Sequence, residues 1–260
     1  MPDNPHGDAA IRAGLGRVGF ETGSDVYERA RPGYPPEVVD VLIGTSGLSP
    51  ASLVLDLAAG TGKLTRQLHG RGLRCVAAEP SPAMRQVFAR VLPEVPMVAT
   101  TAEQVPLADR TVDAVAVAQA FHWFDAPVAL AEIHRVLRPG GWLDLVWNER
   151  DESDPMVAEL VRISKWDQCA PYPVGTDFGA VIERDGNGRF GVVQRTRWPF
   201  VQRLDLGAFV EGVASRSYVQ VLPEPDRQAL LDQVEEFAST LPQPIAMPYI
   251  TDLFCAPVVR

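Results

Sequence analysis

The stretch that decides the fold is "ASLVLDLAAGTGKLTRQL", Ala51 to Leu68. Leu53 to Leu57 are mostly apolar, as suits a strand buried on both faces. The run then breaks at Gly60 and Gly62, where the chain can take backbone angles that side chains hinder. "KLTRQL" resumes as a helix. Strand, glycine turn and helix in this order predict one unit of a parallel sheet, with a ligand site at the turn. The turn departs from the phosphate-binding pattern GxxxxGK[ST]. Lys63 follows Gly62, but Leu64 stands where a magnesium-binding hydroxyl belongs. It is no clean GxGxxG either, so dinucleotide binding is poorly supported. A tight turn without a ligand is the plainer alternative.

Working outward, the same rhythm repeats. "LRCVAAE" reads as a second strand ending in Glu79. "SPAMRQVFARVL" reads as a helix with Ser81 as cap and Pro82 in its first turn. "VPMVAT" is a short third strand and "VDAVAVAQA" a fourth. "APVALAEIHRVLRPGG" has helical spacing and is expected to stop at Pro139 and the Gly140-Gly141 turn. "WLDLVWNE" is the fifth strand.

After Arg150 the rhythm breaks. A helix is expected in "DPMVAELVRISKW", then a loop-rich piece, "CAPYPVGTDFG". "FGVVQRTRWPFVQRLD" returns to strand. "DLGAFVEGVAS" and "EPDRQALLDQVEEFAST" are helices, and a last strand lies near "IAMPYITDLFCAPVV". That strand is expected to be antiparallel, since no clear crossover precedes it. The prediction is an α/β, doubly wound, seven-stranded, mostly parallel Rossmann-like sheet with helices on both faces. Its expected parts are a tail or lid over residues 1–25, a cofactor-binding core over 26–150, and a lid or acceptor-specificity insertion over 151–190. Residues 191–260 complete the sheet.

Composition narrows the function. The chain has 260 residues, enough to bury a large core without a staple. Its formal charge is 24 minus 33, or -9. That argues against nonspecific attraction to nucleic acid or to an anionic membrane. Cys75, Cys169 and Cys255 are widely spaced and fit neither a disulfide framework nor a zinc motif. With no long apolar run and no secretory core at the start, a cytoplasmic protein is expected. No His, Asp and Glu spacing suggests a metal. Monomer and homodimer remain equally open.

Two further constellations carry chemistry. Glu79 lies 17 residues beyond Gly62, where a carboxylate can accept both hydroxyls of a ribose. Thr101, Ala102 and Glu103 follow the third strand and could border an adenine ring; solvated loop carboxylates are the plainer alternative for Glu79 and Glu103. "AQAFHWFD", Ala118 to Asp125, places Gln119, His122, Trp123 and Asp125 where the fourth strand ends. A binding site and a local packing cluster both fit that placement. Asp125 is expected to cap the next helix.

The motifs "VLDLAAGTGKLT", "AAEPSPAM", "TAEQVPLADRTVDAVAVAQAFHWF" and "EIHRVLRPGG" together resemble the class I S-adenosylmethionine-dependent methyltransferases of the type 11 domain group. The likeness covers about Tyr27 to Glu149. "YERARPGYPPEVVD" and "SRSYVQVLPEPDRQALL" extend it, more loosely, toward trans-aconitate and juvenile-hormone-acid methyltransferases. The resemblance implies that Asp56 and the Ala58, Gly60 and Gly62 backbone contact the methionine part of S-adenosyl-L-methionine. It implies that Glu79 holds the ribose, with Pro80 and Met84 nearby, that Ala102 and Glu103 face adenine, and that Gln119 sits near the methionine. Tyr27 and Arg31 of the leader would close over the cofactor.

The implied reaction is in-line transfer of the methyl group to a small organic acceptor, with oxygen preferred over nitrogen or carbon and S-adenosyl-L-homocysteine as product. His122 is the candidate base, since an imidazole can accept a proton near neutral pH. Shaping the pocket is its alternative role. Trp123, Trp147 and Arg150 are candidate acceptor contacts. Arg29 and Arg216 would suit an acidic acceptor. Trp166, Tyr172, Phe178, Trp198, Phe200, Phe209 and Tyr218 either line a cavity or pack in cores. A cofactor-binding protein without transfer activity and a nicotinamide-dependent oxidoreductase are the competing classes.

Overall fold

The computed structural model describes residues 24–166 and 175–259. The expected tail up to Gly19, with His6, and also Cys169 and Tyr172, lie outside those residues. The sheet has seven strands: β1 (Leu53–Leu57), β2 (Arg74–Ala78), β3 (Met97–Val98), β4 (Val112–Ala118), β5 (Leu137–Arg150), β6 (Gln194–Leu204) and β7 (Ile245–Pro257). Their order is β3-β2-β1-β4-β5-β7-β6, mostly parallel, with the last strand antiparallel. β1 is central. Its Asp56 is level with Ala77 of β2 on one side and Ala116 of β4 on the other. Val54, Leu55, Ala114, Val115 and Val117 are fully buried, as expected of strands covered on both faces.

The helices among the described residues are α1 (Ser24–Ala30), α2 (Pro36–Thr45), α3 (Lys63–His69), α4 (Pro82–Val91), α5 (Ala126–Val136), α6 (Pro155–Ser164), α7 (Phe178–Asp185), α8 (Leu206–Ala214), α9 (Ser217–Gln220) and α10 (Glu224–Ser239). The Ser81 hydroxyl accepts the Met84 N–H at 3.3 Å, capping α4 as its sequence predicts.

Three expectations need correction. First, α5 ends at Val136, and β5 begins at once with Leu137 opposite Val112. Pro139, Gly140 and Gly141 form an irregularity inside the strand rather than a turn before it. A Cβ on Gly141 would meet the Asp113 carbonyl oxygen at 2.9 Å, so only glycine lets the two strands meet there. Second, the end of the loop-rich piece "CAPYPVGTDFG" is helical: Phe178 and Gly179 open α7. Asp177 caps α7 by accepting the Ala180 N–H at 3.2 Å, and Phe178 and Ile182 bury one face. Third, Asp125 occupies the position before α5, but its side chain makes no capping hydrogen bond.

The chain forms two compact units. One comprises Gly33–Asn148, Asp177–Trp198 and the described part of Thr251–Arg260. Its core joins Val38, Leu42, Val54, Leu68, Phe88, Ala114 and Leu253. The other comprises the described parts of Met1–Pro32 and Glu149–Thr176, with Pro199–Ile250. Its core joins Val157, Leu160, Phe209, Val213, Val234 and Tyr249. Residues 151–190 therefore fall partly in each. No helix among the described residues is long and apolar enough to cross a membrane.

Candidate functional site

The first unit gathers most of the predicted site residues at the C-terminal ends of β1, β2 and β4. Two non-glycine residues there have left-handed backbones: Ala58 (φ 59°) after β1 and Gln119 (φ 58°) after β4. Such conformations are costly for residues with a Cβ and cluster at functional sites. Both are held by hydrogen bonds. The Ala59 N–H donates to the Ala78 carbonyl at 3.0 Å, and the Gln119 N–H donates to the Val146 carbonyl at 3.1 Å.

Asp56 is almost wholly buried at the end of β1. Its Oδ2 accepts the Thr65 hydroxyl at 2.5 Å. Its Oδ1 is buried with no hydrogen-bond partner. Burial pushes the Asp56 carboxyl up to about 7, against the hydrogen bonds from Thr65, while the nearby Glu79 charge adds to the rise. A buried acceptor left unsatisfied is expensive. An ammonium group would supply both the missing donor and the missing charge.

Glu79 is also buried, and it ties the loops together. Its Oε2 accepts the Gly60 N–H at 2.9 Å, and its Oε1 accepts the Ser81 N–H at 2.8 Å. Burial raises its carboxyl and these N–H groups pull it back. Each oxygen keeps a second lone pair for an incoming hydroxyl. Arg85 donates to the Glu79 and Pro80 carbonyls at 2.9 and 2.7 Å and fixes the exposed Pro80 loop. Met84 is buried in the first turn of α4.

The two glycines of the turn differ. Gly60 (φ +58°) has open space where a Cβ would stand. At Gly62 (φ +90°) a Cβ would lie 2.8 Å from Phe88 and 2.9 Å from Leu92. Gly60 is therefore the place where a ligand can approach backbone, while Gly62 lets α3 pack on α4.

Ala102 is buried and Glu103 half-buried. Glu103 Oε1 accepts the Asp125 N–H at 3.1 Å. The Asp125 backbone is thus held from the loop after β3. His122 and Trp123 sit in a 3-10 turn, Phe121–Trp123, whose ring centroids are 4.3 Å apart. Trp147 is 1% exposed, 5.2 Å from the His122 ring and 4.4 Å from that of Phe178. Trp147 thus backs His122, with α7 behind it.

Tyr27, Arg31 and Arg150 belong to the other unit. There the Arg31 guanidinium lies over the Tyr27 ring at 5.4 Å. Among the other aromatics, Phe209 is core, Phe200 stacks on Tyr249, and Trp198 packs against the first unit's core. Exposed Arg29 pairs with Glu211 at 3.4 Å.

Asn148 was not anticipated. Its carbonyl accepts Gln119 Nε2 at 2.9 Å, its Nδ2 donates to the Gly33 carbonyl at 3.0 Å, and its Oδ1 accepts the Thr251 hydroxyl at 2.7 Å. It fixes the Gln119 side chain. The only signal in sequence was a polar residue closing the apolar run "WLDLVW". Among the described residues no group of three His, Cys, Asp or Glu is placed to hold a metal.

A family profile described as a methyltransferase domain matches residues 55–145. An uncharacterized methyltransferase of Mycobacterium tuberculosis is 42% identical over 240 residues, 90% of this chain and 93% of that protein. An uncharacterized methyltransferase-like protein of Schizosaccharomyces pombe is 33% identical over 226 residues, 86% of this chain and 87% of the other. The YcgJ protein of Bacillus subtilis shares the fold, with a TM-score of 0.58 at 20% identity, covering 86% of this chain and 99% of that one.

Proposed function

The chain belongs to the type 11 group of S-adenosylmethionine-dependent methyltransferases, and on that premise we propose that it methylates oxygen on a small organic acceptor by in-line displacement. When bound, S-adenosylmethionine supplies a methyl group activated by its sulfonium sulfur. The protein's part is orientation and electrostatics. Alignment of reacting atoms is worth roughly 7–11 kcal/mol of a barrier.

The observation that carries the cofactor roles is the buried, unpartnered Oδ1 of Asp56 beside the open Gly60 turn. Asp56 takes the cofactor's ammonium. Glu79 takes the ribose hydroxyls with its free lone pairs, between Pro80 and Met84. The Ala58, Gly60 and Gly62 backbone lies along the methionine part, with Gln119 near it. Ala102 and Glu103 border the adenine.

His122 takes the acceptor's proton, with Trp123 beside it as an aromatic wall and Trp147 holding the imidazole from behind. A phenol or alcohol acceptor needs such a base, whereas a carboxylate does not.

The test is incubation with methyl-labelled S-adenosylmethionine and separate panels of phenols, alcohols, carboxylic acids and amines. Label transferred to an oxygen acceptor supports the reading. Cofactor binding with label transferred only to nitrogen or carbon overturns the choice of oxygen. Cofactor binding with no transfer to any panel favours a protein that binds without transferring.

A further inference from the structure

The second unit holds a group of cations outside the roles just proposed for the first unit. Arg31 lies just after α1, Arg150 ends β5, and Arg216 precedes α9. All three are part-buried. Arg31 donates through Nε to the Ser215 hydroxyl at 3.0 Å and through Nη2 to the Ser215 carbonyl at 3.3 Å. These are two of its five N–H donors. The Arg216 guanidinium lies 5.2 Å over the Trp166 ring, and that ring is 5.4 Å from Tyr218. Arg150 hydrogen-bonds Tyr249.

These cations act on one another. Burial first, and then the Arg216 charge, lower Arg31 to about 9 and Arg150 to about 10. Among the described residues, the other groups acting on the pair are tyrosines and each other, with no carboxylate. Three donors in the same group are buried and without a partner: Arg150 Nε, Arg216 Nε and the Tyr218 hydroxyl. Other described arginines do pair with carboxylates, as Arg135 does with Glu132 and Asp109, and Arg195 with Asp252.

Like charges collected in part-buried positions, with orphaned donors among them, have no counter-ion among the described residues. We propose that Arg31, Arg150, Arg216 and Tyr218 form a binding site for an oxyanion, the carboxylate or phosphate of a small organic acid. Planar guanidinium forks suit such groups. The neighbouring aromatic rings hold the forks in place. The oxyanion belongs to a separate small organic acid.

The experiment is calorimetric titration of the full chain with inorganic phosphate and with succinate, and separately with S-adenosylhomocysteine. Both anions should bind, and Arg216→Gln should weaken them about tenfold or more. Tyr218→Phe, which keeps the ring packing, should weaken them roughly threefold. Arg29→Gln, whose exposed guanidinium already has Glu211, should leave them unchanged. Absence of anion binding to the parent chain overturns the proposal, as does equal loss in Arg29→Gln and Arg216→Gln. Anion binding should persist at saturating S-adenosylhomocysteine, and its abolition overturns the assignment to a separate acid. S-adenosylhomocysteine failing to bind while the anions still bind counts against the cofactor roles and leaves the oxyanion site standing.

Discussion

The Glu79 carboxylate accepts the Gly60 N–H at 2.9 Å, so the residue proposed to hold the ribose also shapes the glycine turn. Both oxygens receive backbone donors, and an amide offers only one oxygen. Glu79→Gln should leave one buried N–H unsatisfied, at about 1–3 kcal/mol. S-adenosylhomocysteine affinity should fall roughly 10- to 100-fold, read by calorimetry. Parent-like affinity would remove Glu79 from the cofactor site.

Asp56 and Asp144 make the stability of the ligand-free protein depend on pH. Burial raises each to about 7, from the usual 3.8. The folded state therefore holds protons that the unfolded chain releases. This contribution is full below about pH 4 and is lost as pH rises through about 7. Asp56→Asn should flatten part of that fall in thermal unfolding. Cofactor binding should run the other way: the ionised Asp56 pairs with ammonium, so affinity rises up to about pH 7 and then levels. A parent affinity that does not change between pH 5.5 and 8 would contradict the pairing.

The two turn glycines should separate stability from binding. Gly62→Ala places a methyl group 2.8 Å from Phe88 at φ +90°. Strain and overpacking together predict a loss of about 2–5 kcal/mol, or roughly 5–15 °C in melting temperature. Gly60→Ala meets no neighbour. It should cost only about 1 kcal/mol of stability, yet lower S-adenosylhomocysteine affinity. The reverse ranking in unfolding and titration would mean that the turn does not divide its work this way.

His122→Ala should lower turnover about 100-fold or more and leave S-adenosylhomocysteine affinity within about twofold. The parent's pH–rate profile should carry a limb that the variant's lacks. The same pH profile in both proteins would reduce His122 to a packing role beside Trp123 and Trp147.

Much of the first unit was legible because its strands are covered on both faces and read as unbroken apolar runs. Asp56, Glu79 and Gln119 each stand just where such a run ends or beyond it. Features depending on distant segments were not legible. Nothing in "VWNE" tells that Asn148 reaches Gly33, Gln119 and Thr251, which lie 115, 29 and 103 residues away. The α7 helix was hidden by neighbouring proline and glycine, although Asp177 gives a cap signal. The early start of β5 was hidden because proline and paired glycines usually mark a turn, whereas close contact with Asp113 draws them into the strand. The arginine cluster had a partial signal in Arg150 and Arg216, but its orphaned donors exist only once Ser215, Trp166 and Tyr218 are folded around them.

The position of β7 between β5 and β6 sets an order on biosynthesis. A ribosome that has made the chain only as far as Gln243 has produced both neighbours but not the strand that joins them. Until β7 emerges, β5 presents an open edge, the kind of surface that invites pairing with another chain. Asn148 meanwhile lacks Thr251, its partner from the late strand. The local turn around Gly60 can form early, but the sheet closes only after translation is nearly finished, so truncation near the C-terminus should yield aggregation before it yields a smaller enzyme.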